Sequence, residues 1–312
     1  MEFPRDSITS ILRTEKPPSS WKYIFMKNPE QHKSEQLSLL ENTESSVAIH
    51  PMAGPAKLSS ASIVASPRDR KTIQDLLLPE GLFAVQVSID ASSLDELQKK
   101  LQEELRQNSA GTRLRYARSI LLWFFWDGVE GLARQVWRAY GDEEIEITIL
   151  RYLYLTAEPL VGACVSKCLY PLEDGMMIPP SYFERYLRGA LKEDPPAKTL
   201  KRLKTNLAKL GFLDRSPTKG DRLKRIQLNK TSFIVVFHSI FSPAGPRTIE
   251  IQQILRHPFW KYLGLKSEQS VRAILREAEA SGLFGKYVAA DQLEQVTTCF
   301  SLSEILNRRV RL

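Results

Sequence analysis

A mainly α-helical fold, with a helical bundle followed by a winged helix-turn-helix and a second winged-helix-like module at the C-terminus, is what this 312-residue sequence predicts. Three observations lead there. Apolar residues between about 69 and 170 recur at helical spacing with connections of only a few residues, which is the pattern of a bundle. The stretch Pro196 to Lys230 then reads as helix, strand, basic loop and strand. A weaker copy of that design returns at Ser270 to Phe300.

In chain order, residues 1–67 are rich in Ser, Pro and Glu and are broken repeatedly by turn formers such as Pro17-Pro18 and Gly54-Pro55. They read as an N-terminal extension, either disordered or an arm that Trp21, Tyr23, Ile24 and Phe25 pin to a partner. The bundle is expected over 68–175. Ile73, Leu76 and Leu77 open its first helix, and Leu94, Leu97, Leu101 and Leu105 mark a second from about Ser93 to Asn108, with Ser92 or Ser93 and Glu96 as a capping box. Gly111-Thr112 opens a third helix, and further helices are expected at Val129–Ala139, Glu143–Leu155 and Pro159–Leu169. Trp123, Trp126, Trp137, Tyr152 and Tyr154 fall at helical spacing and read as core.

The winged helix-turn-helix is expected over 176–242. Tyr182, Phe183, Tyr186 and Leu187 mark its first helix, which the prolines at 195 and 196 end, because proline restrains the preceding residue from helical dihedrals. In the next helix Leu200, Leu203, Leu207 and Leu210 form one apolar stripe, Gly211 is its stop, and strands begin at Phe212-Leu213 and at Leu223–Leu228. Thr231–Phe241 reads as a buried segment and Ser242–Pro246 as a linker. The last module, 247–312, has a helix with Val271, Ile274, Leu275 and Ala278 inside, capped by Ser267 with Ser270, and wing strands at Lys286–Val288 and Val296–Phe300.

Charge gives the functional clue. From Lys198 to Lys230 there are eleven Lys or Arg against Asp214 and Asp221, so this segment alone exceeds the whole chain's net charge of +8. Such a cluster suits a polyanion, because each cation that neutralises a phosphate releases condensed counterions. Helical projection puts Lys198, Lys201, Arg202, Thr205 and Lys209 opposite the leucine stripe, with Lys204 and Asn206 on its flanks, and so predicts an almost purely cationic solvent face. Arg215, Lys219, Arg222, Lys224 and Arg225 lie on the expected wing. Arg113, Arg115 and Arg118 form a smaller basic candidate on the third bundle helix.

No catalytic constellation competes: the chain has no P-loop, G-x-G-x-x-G, G-x-S-x-G or HExxH motif. Cys164, Cys168 and Cys299 lack a metal-type pairing, and His32, His50, His238 and His257 are scattered, so neither a cofactor nor a metal is expected. No apolar run is long enough to span a membrane and the N-terminus lacks a secretory pattern, so a cytoplasmic protein is expected.

The span from about Asp90 to Leu228 resembles the BrxA family of BREX phage-defence systems. Three stretches carry the resemblance: NSAGTRLRYARSILLWF; ITILRYLYLTAEPLVGACVSKCL with IPPSYFERYLRGAL; and AKTLKRLKTNLAKLGFLD. It implies a non-enzymatic, cytoplasmic accessory protein that binds duplex DNA, with Lys198, Lys201, Arg202 and Lys204 on the DNA-facing helix. It also implies a methyltransferase and an ATPase of the defence system as partners. The residues themselves leave open an RNA target, a scaffold whose basic face meets an acidic subunit, and a winged-helix transcription regulator.

Overall fold

The protein is described from a computed structural model at residues 72–216, 220–290 and 293–312. The expected extension over 1–67, its Trp21–Phe25 anchor, and Lys219 of the wing lie outside the described residues. The described fold is mainly helical with two small antiparallel sheets, and its buried apolar side chains form one connected core from Ile73 to Leu306.

Residues 73–77 form neither helix nor strand, although Ile73, Leu76 and Leu77 are buried as the sequence requires. Helix α1 starts only at Leu78 (Leu78–Ser88), with Pro79 in its first turn, where proline's missing amide hydrogen costs nothing. Helix α2 is Leu94–Glu104, shorter than the leucine spacing suggests because Leu105 turns extended while remaining buried. Its cap is shared by two serines: the Ser93 hydroxyl accepts from the Glu96 amide, and the Glu96 carboxylate accepts from the amide and hydroxyl of Ser92. Helices α3 (Ala110–Phe124), α4 (Leu132–Tyr140) and α5 (Glu143–Ala157) complete this part. Trp123 and Tyr154 pack edge to face at 5.2 Å in its centre, but Trp126, expected inside, is 52% exposed because α3 has already ended.

The remainder is built twice. The first copy runs α6 (Pro159–Ala163) continued by a π-helix at Cys164–Leu169, β1 (Met177–Ile178), α7 (Ser181–Leu191), α8 (Ala197–Lys209), β2 (Leu213–Ser216) and β3 (Gly220–Leu223). The second runs α9 (Lys230–Phe241), β4 (Thr248–Glu250), α10 (Ile251–Arg256), α11 (Phe259–Tyr262), α12 (Glu268–Ala280), β5 (Phe284–Ala290) and β6 (Leu293–Thr298); α13 (Leu302–Asn307) follows. In both sheets the third strand is central, in the orders β1-β3-β2 and β4-β6-β5, with every pairing antiparallel.

The repeat has a constant period through most of its length. The lead helices start at 159 and 230, the first strands at 177 and 248, the 13-residue helices α8 and α12, each the third of its copy when α10 and α11 together stand for α7, at 197 and 268, and the second strands at 213 and 284, each 71 residues apart. The third helices end alike. Gly211 (φ 88°) and Gly282 (φ 71°) take the left-handed conformation, and paired backbone bonds satisfy the last carbonyls: Phe212 to Leu207 and Gly211 to Ala208, then Leu283 to Ala278 and Gly282 to Glu279.

The second hairpin strand of the first copy is Gly220–Leu223, not Leu223–Leu228. Its inward residues are Asp221 and Leu223, and an inward carboxylate hides a strand from a reading based on apolar alternation. After Leu223 the chain leaves the sheet, and the Arg225 guanidinium donates to the carbonyls of Tyr170 and Leu172.

Candidate nucleic-acid interface

Helix α8 buries Leu203, Leu207 and Leu210 completely, leaving two long edges and a narrow outer face. One edge is covered by segment 73–77. The Asn206 side chain accepts from the Leu76 amide at 2.9 Å and donates to the Gln74 carbonyl at 2.6 Å and to the Tyr154 hydroxyl at 2.7 Å. It thus pairs with the segment's backbone as a neighbouring strand would. Asn206, expected at the margin of the cationic face, is wholly buried. On the same edge Arg202 donates to the Ile73 carbonyl at 3.1 Å and pairs with Asp75 at 3.4 Å, and Lys209 donates to the Leu76 carbonyl at 2.8 Å.

The other edge meets the hairpin. Lys204 pairs with Asp221 at 2.6 Å, and Arg215 reaches the same carboxylate at 3.3 Å while donating to the Thr205 hydroxyl at 3.0 Å. Strand alternation sends Arg222 to the opposite side of the sheet from Asp221, so it does not share a face with α8, and Lys224 lies past the end of β3. The almost purely cationic face expected from helical projection is therefore much smaller. Among the described residues, Lys198 and Lys201 are the α8 cations that are exposed and make no ion pair or hydrogen bond.

The second basic candidate is also divided. Arg113 is spent on the carbonyls of Gln102 and Gln107, at 2.6 and 2.7 Å, where it closes the end of α2. Arg115 and Arg118 are exposed, one turn apart on α3 and without carboxylate partners among the described residues, Arg115 lying 5.7 Å from the Tyr116 ring centre. Segment 73–77 ties this helix to α8, because the Ser119 hydroxyl donates to the Gln74 side chain at 2.6 Å while Gln74 and Leu76 hold Asn206. Arg115 and Arg202 thereby line one cavity of about 210 Å³. Sequence reasoning kept these two basic patches apart. The only hint of their meeting was the apolar content of Ile73-Leu76-Leu77, which had to be buried against something.

Elsewhere, burial shifts several titratable groups. Glu146 is buried with both carboxylate oxygens unpartnered, and desolvation pushes it well above the usual carboxylate range. His238 is pulled down to about 4 by burial; its Nδ1 lies 2.8 Å from the Ile234 carbonyl and its Nε2 has no partner. Cys164 is buried and its thiol raised by desolvation. Among the described residues no group of His, Cys, Asp and Glu is placed to hold a metal, and no helix is long and apolar enough to cross a membrane. No protein-family model matches the chain, and no curated protein or solved structure is significantly similar to it.

Proposed function

We propose that the protein binds duplex DNA, without an enzymatic role, through the first of two tandem winged helices. The order of strand, helix, helix, hairpin with a central third strand is that of a winged helix, in which the third helix meets the groove and the hairpin meets the backbone. The observation that carries the reading is the outer face of α8, where Lys198 and Lys201 stand one turn apart with no carboxylate among the described residues to neutralise them. Segment 73–77 covers the Arg202–Asn206–Lys209 edge, so the N-terminal half of α8 is the part that approaches phosphate. Arg202, Lys204, Lys209, Arg215 and Arg225 take structural roles in this reading.

The test is fluorescence anisotropy with a labelled duplex at several salt concentrations, comparing wild type with Lys198→Glu/Lys201→Glu. Losing two phosphate contacts lowers the log–log salt slope by about 2. An unchanged slope removes the proposal.

The role in prokaryotic antiviral defence, beside a methyltransferase and an ATPase in the cytoplasm, is proposed on the three sequence stretches that resemble the BrxA family. A protein-binding role is favoured for the second module alone, because the cations of its third helix are engaged within the module: Arg272 pairs with Glu268 and Glu294, and Arg276 sits 5.0 Å from the Tyr287 ring centre. Isolating the complex with and without nuclease separates that role from binding through DNA.

A further inference from the structure

We infer that the hollow between α3 and segment 72–77 is a binding site for a nucleotide carrying a terminal phosphate. Two adjoining cavities, of about 300 and 210 Å³, share Gln74, Arg115 and Ser119 as their common wall. The larger is at the lower end of the range for small-molecule sites. Gly111, which has no heavy atom near its missing Cβ, contributes to its opening.

The chemistry of the walls is divided. Arg115 belongs to both cavities and Arg118 to the larger one, and neither has an acidic partner among the described residues. Two guanidinium groups on successive turns of one helix suit the several oxygens of a phosphate monoester, which a single cation serves less well. Leu114 and Leu122 line the larger cavity and offer an apolar surface to the face of a base. Gln74 uses its side-chain oxygen to accept from Ser119, which leaves its amide nitrogen as a donor with no partner among the described residues. Among the described lining residues the only carboxylate, Asp75, lies in the smaller cavity and is paired with Arg202, away from an anion held by Arg118; it is placed to accept from ribose hydroxyls.

A phosphate monoester on a nucleoside comes from two sources, a free mononucleotide or the 5′ end of a nucleic-acid strand. The first stands independently of the duplex proposal; the second rests on it. The experiment uses the full chain. Calorimetry compares adenosine 5′-monophosphate with adenosine, and anisotropy compares a short single strand bearing a 5′-phosphate with the same strand bearing a 5′-hydroxyl. The expected result is a preference for the phosphorylated form of about tenfold, and a loss of similar size in Arg115→Gln and in Arg118→Gln. Lys198→Glu/Lys201→Glu, which disables the proposed duplex surface, leaves mononucleotide binding intact. Binding of the monophosphate identifies a free nucleotide as ligand, whereas a response to the strand end alone identifies a terminus. The inference is overturned if wild type shows no preference for phosphate in either arm, or if the two arginine variants bind as wild type does; duplex binding that survives in that case leaves the function proposed above standing.

Discussion

The third helices α8 and α12 are the same length, end in the same glycine-centred turn and sit in sheets of the same order, yet one presents free lysines and the other presents none. The difference lies in where each third strand carries its inward acid. Asp221 is two residues from Leu223, the position paired with the start of β2, and it meets Lys204. Glu294 is four residues from Thr298, the position paired with the start of β5. One pleat further out, it meets Arg272, whose counterpart 71 residues earlier is Lys201. The Tyr287 hydroxyl donates to the same carboxylate. A shift of one acid by one pleat is therefore enough to neutralise the helix position that the first copy leaves open.

Five experiments break or sharpen this comparison, starting with the largest effect. Asn206→Ala leaves the Leu76 amide, the Gln74 carbonyl and the Tyr154 hydroxyl without their partner in a buried site, at a cost of about 3 kcal/mol in urea unfolding. The corresponding Glu277 in the second copy pairs on the surface with Lys230, and Glu277→Ala changes stability by well under about 1 kcal/mol. Comparable effects would show that segment 73–77 does not distinguish the copies.

The lead helices differ in the same sense, since His238 is buried where its counterpart Lys167 is exposed. Burial pulls His238 down to about 4 from an ordinary value of 6.5, so the unfolded chain takes up its proton first as pH falls. Its contribution is intact above pH 6.5 and is lost between there and pH 4, amounting to about 3 kcal/mol. His238→Phe flattens that part of the acid limb of stability against pH; an unchanged limb contradicts the assignment. Glu146 has the opposite sign. Its folded value is raised, so its penalty grows as pH rises above 4.5, and Glu146→Gln gains stability relative to wild type in thermal unfolding at pH 7 but not at pH 4.

Charge reversal of Lys198 and Lys201 comes next, expected to weaken duplex binding by about thirtyfold at low salt, while Arg272→Glu in the second copy leaves binding unchanged. Equal losses would abolish the functional contrast between the copies. The smallest effect is a gain: Asp221→Asn releases Lys204 and Arg215 from their shared carboxylate and strengthens duplex binding by about threefold, with a steeper salt slope.

Local chemistry made much of this fold legible. The Ser93 and Ser267 caps, the α8 stripe, the Gly211 stop and the α12 echo each depend on residues within one or two turns, so periodicity and side-chain type suffice. Strands of two or three residues such as β1 and β4 are too short to show a period, and they exist because a partner strand completes them. The two short helices α10 and α11 were missed for a similar reason, as was α13.

The sequence by itself determined that α8 is helical, that its leucines face inward and that an excess of cations follows them. It could not determine which cations stay free, because that depends on partners far along the chain: Ile73 and Asp75 for Arg202, Leu76 for Lys209, Tyr170 for Arg225. Helical projection assigns a charge to the outside by its angle alone. Whether that outside is solvent or another segment's backbone carbonyl is decided only when the stretch 73–77 comes to lie along the helix, since a buried carbonyl without a donor is costly and the nearest lysine or arginine is drawn to satisfy it.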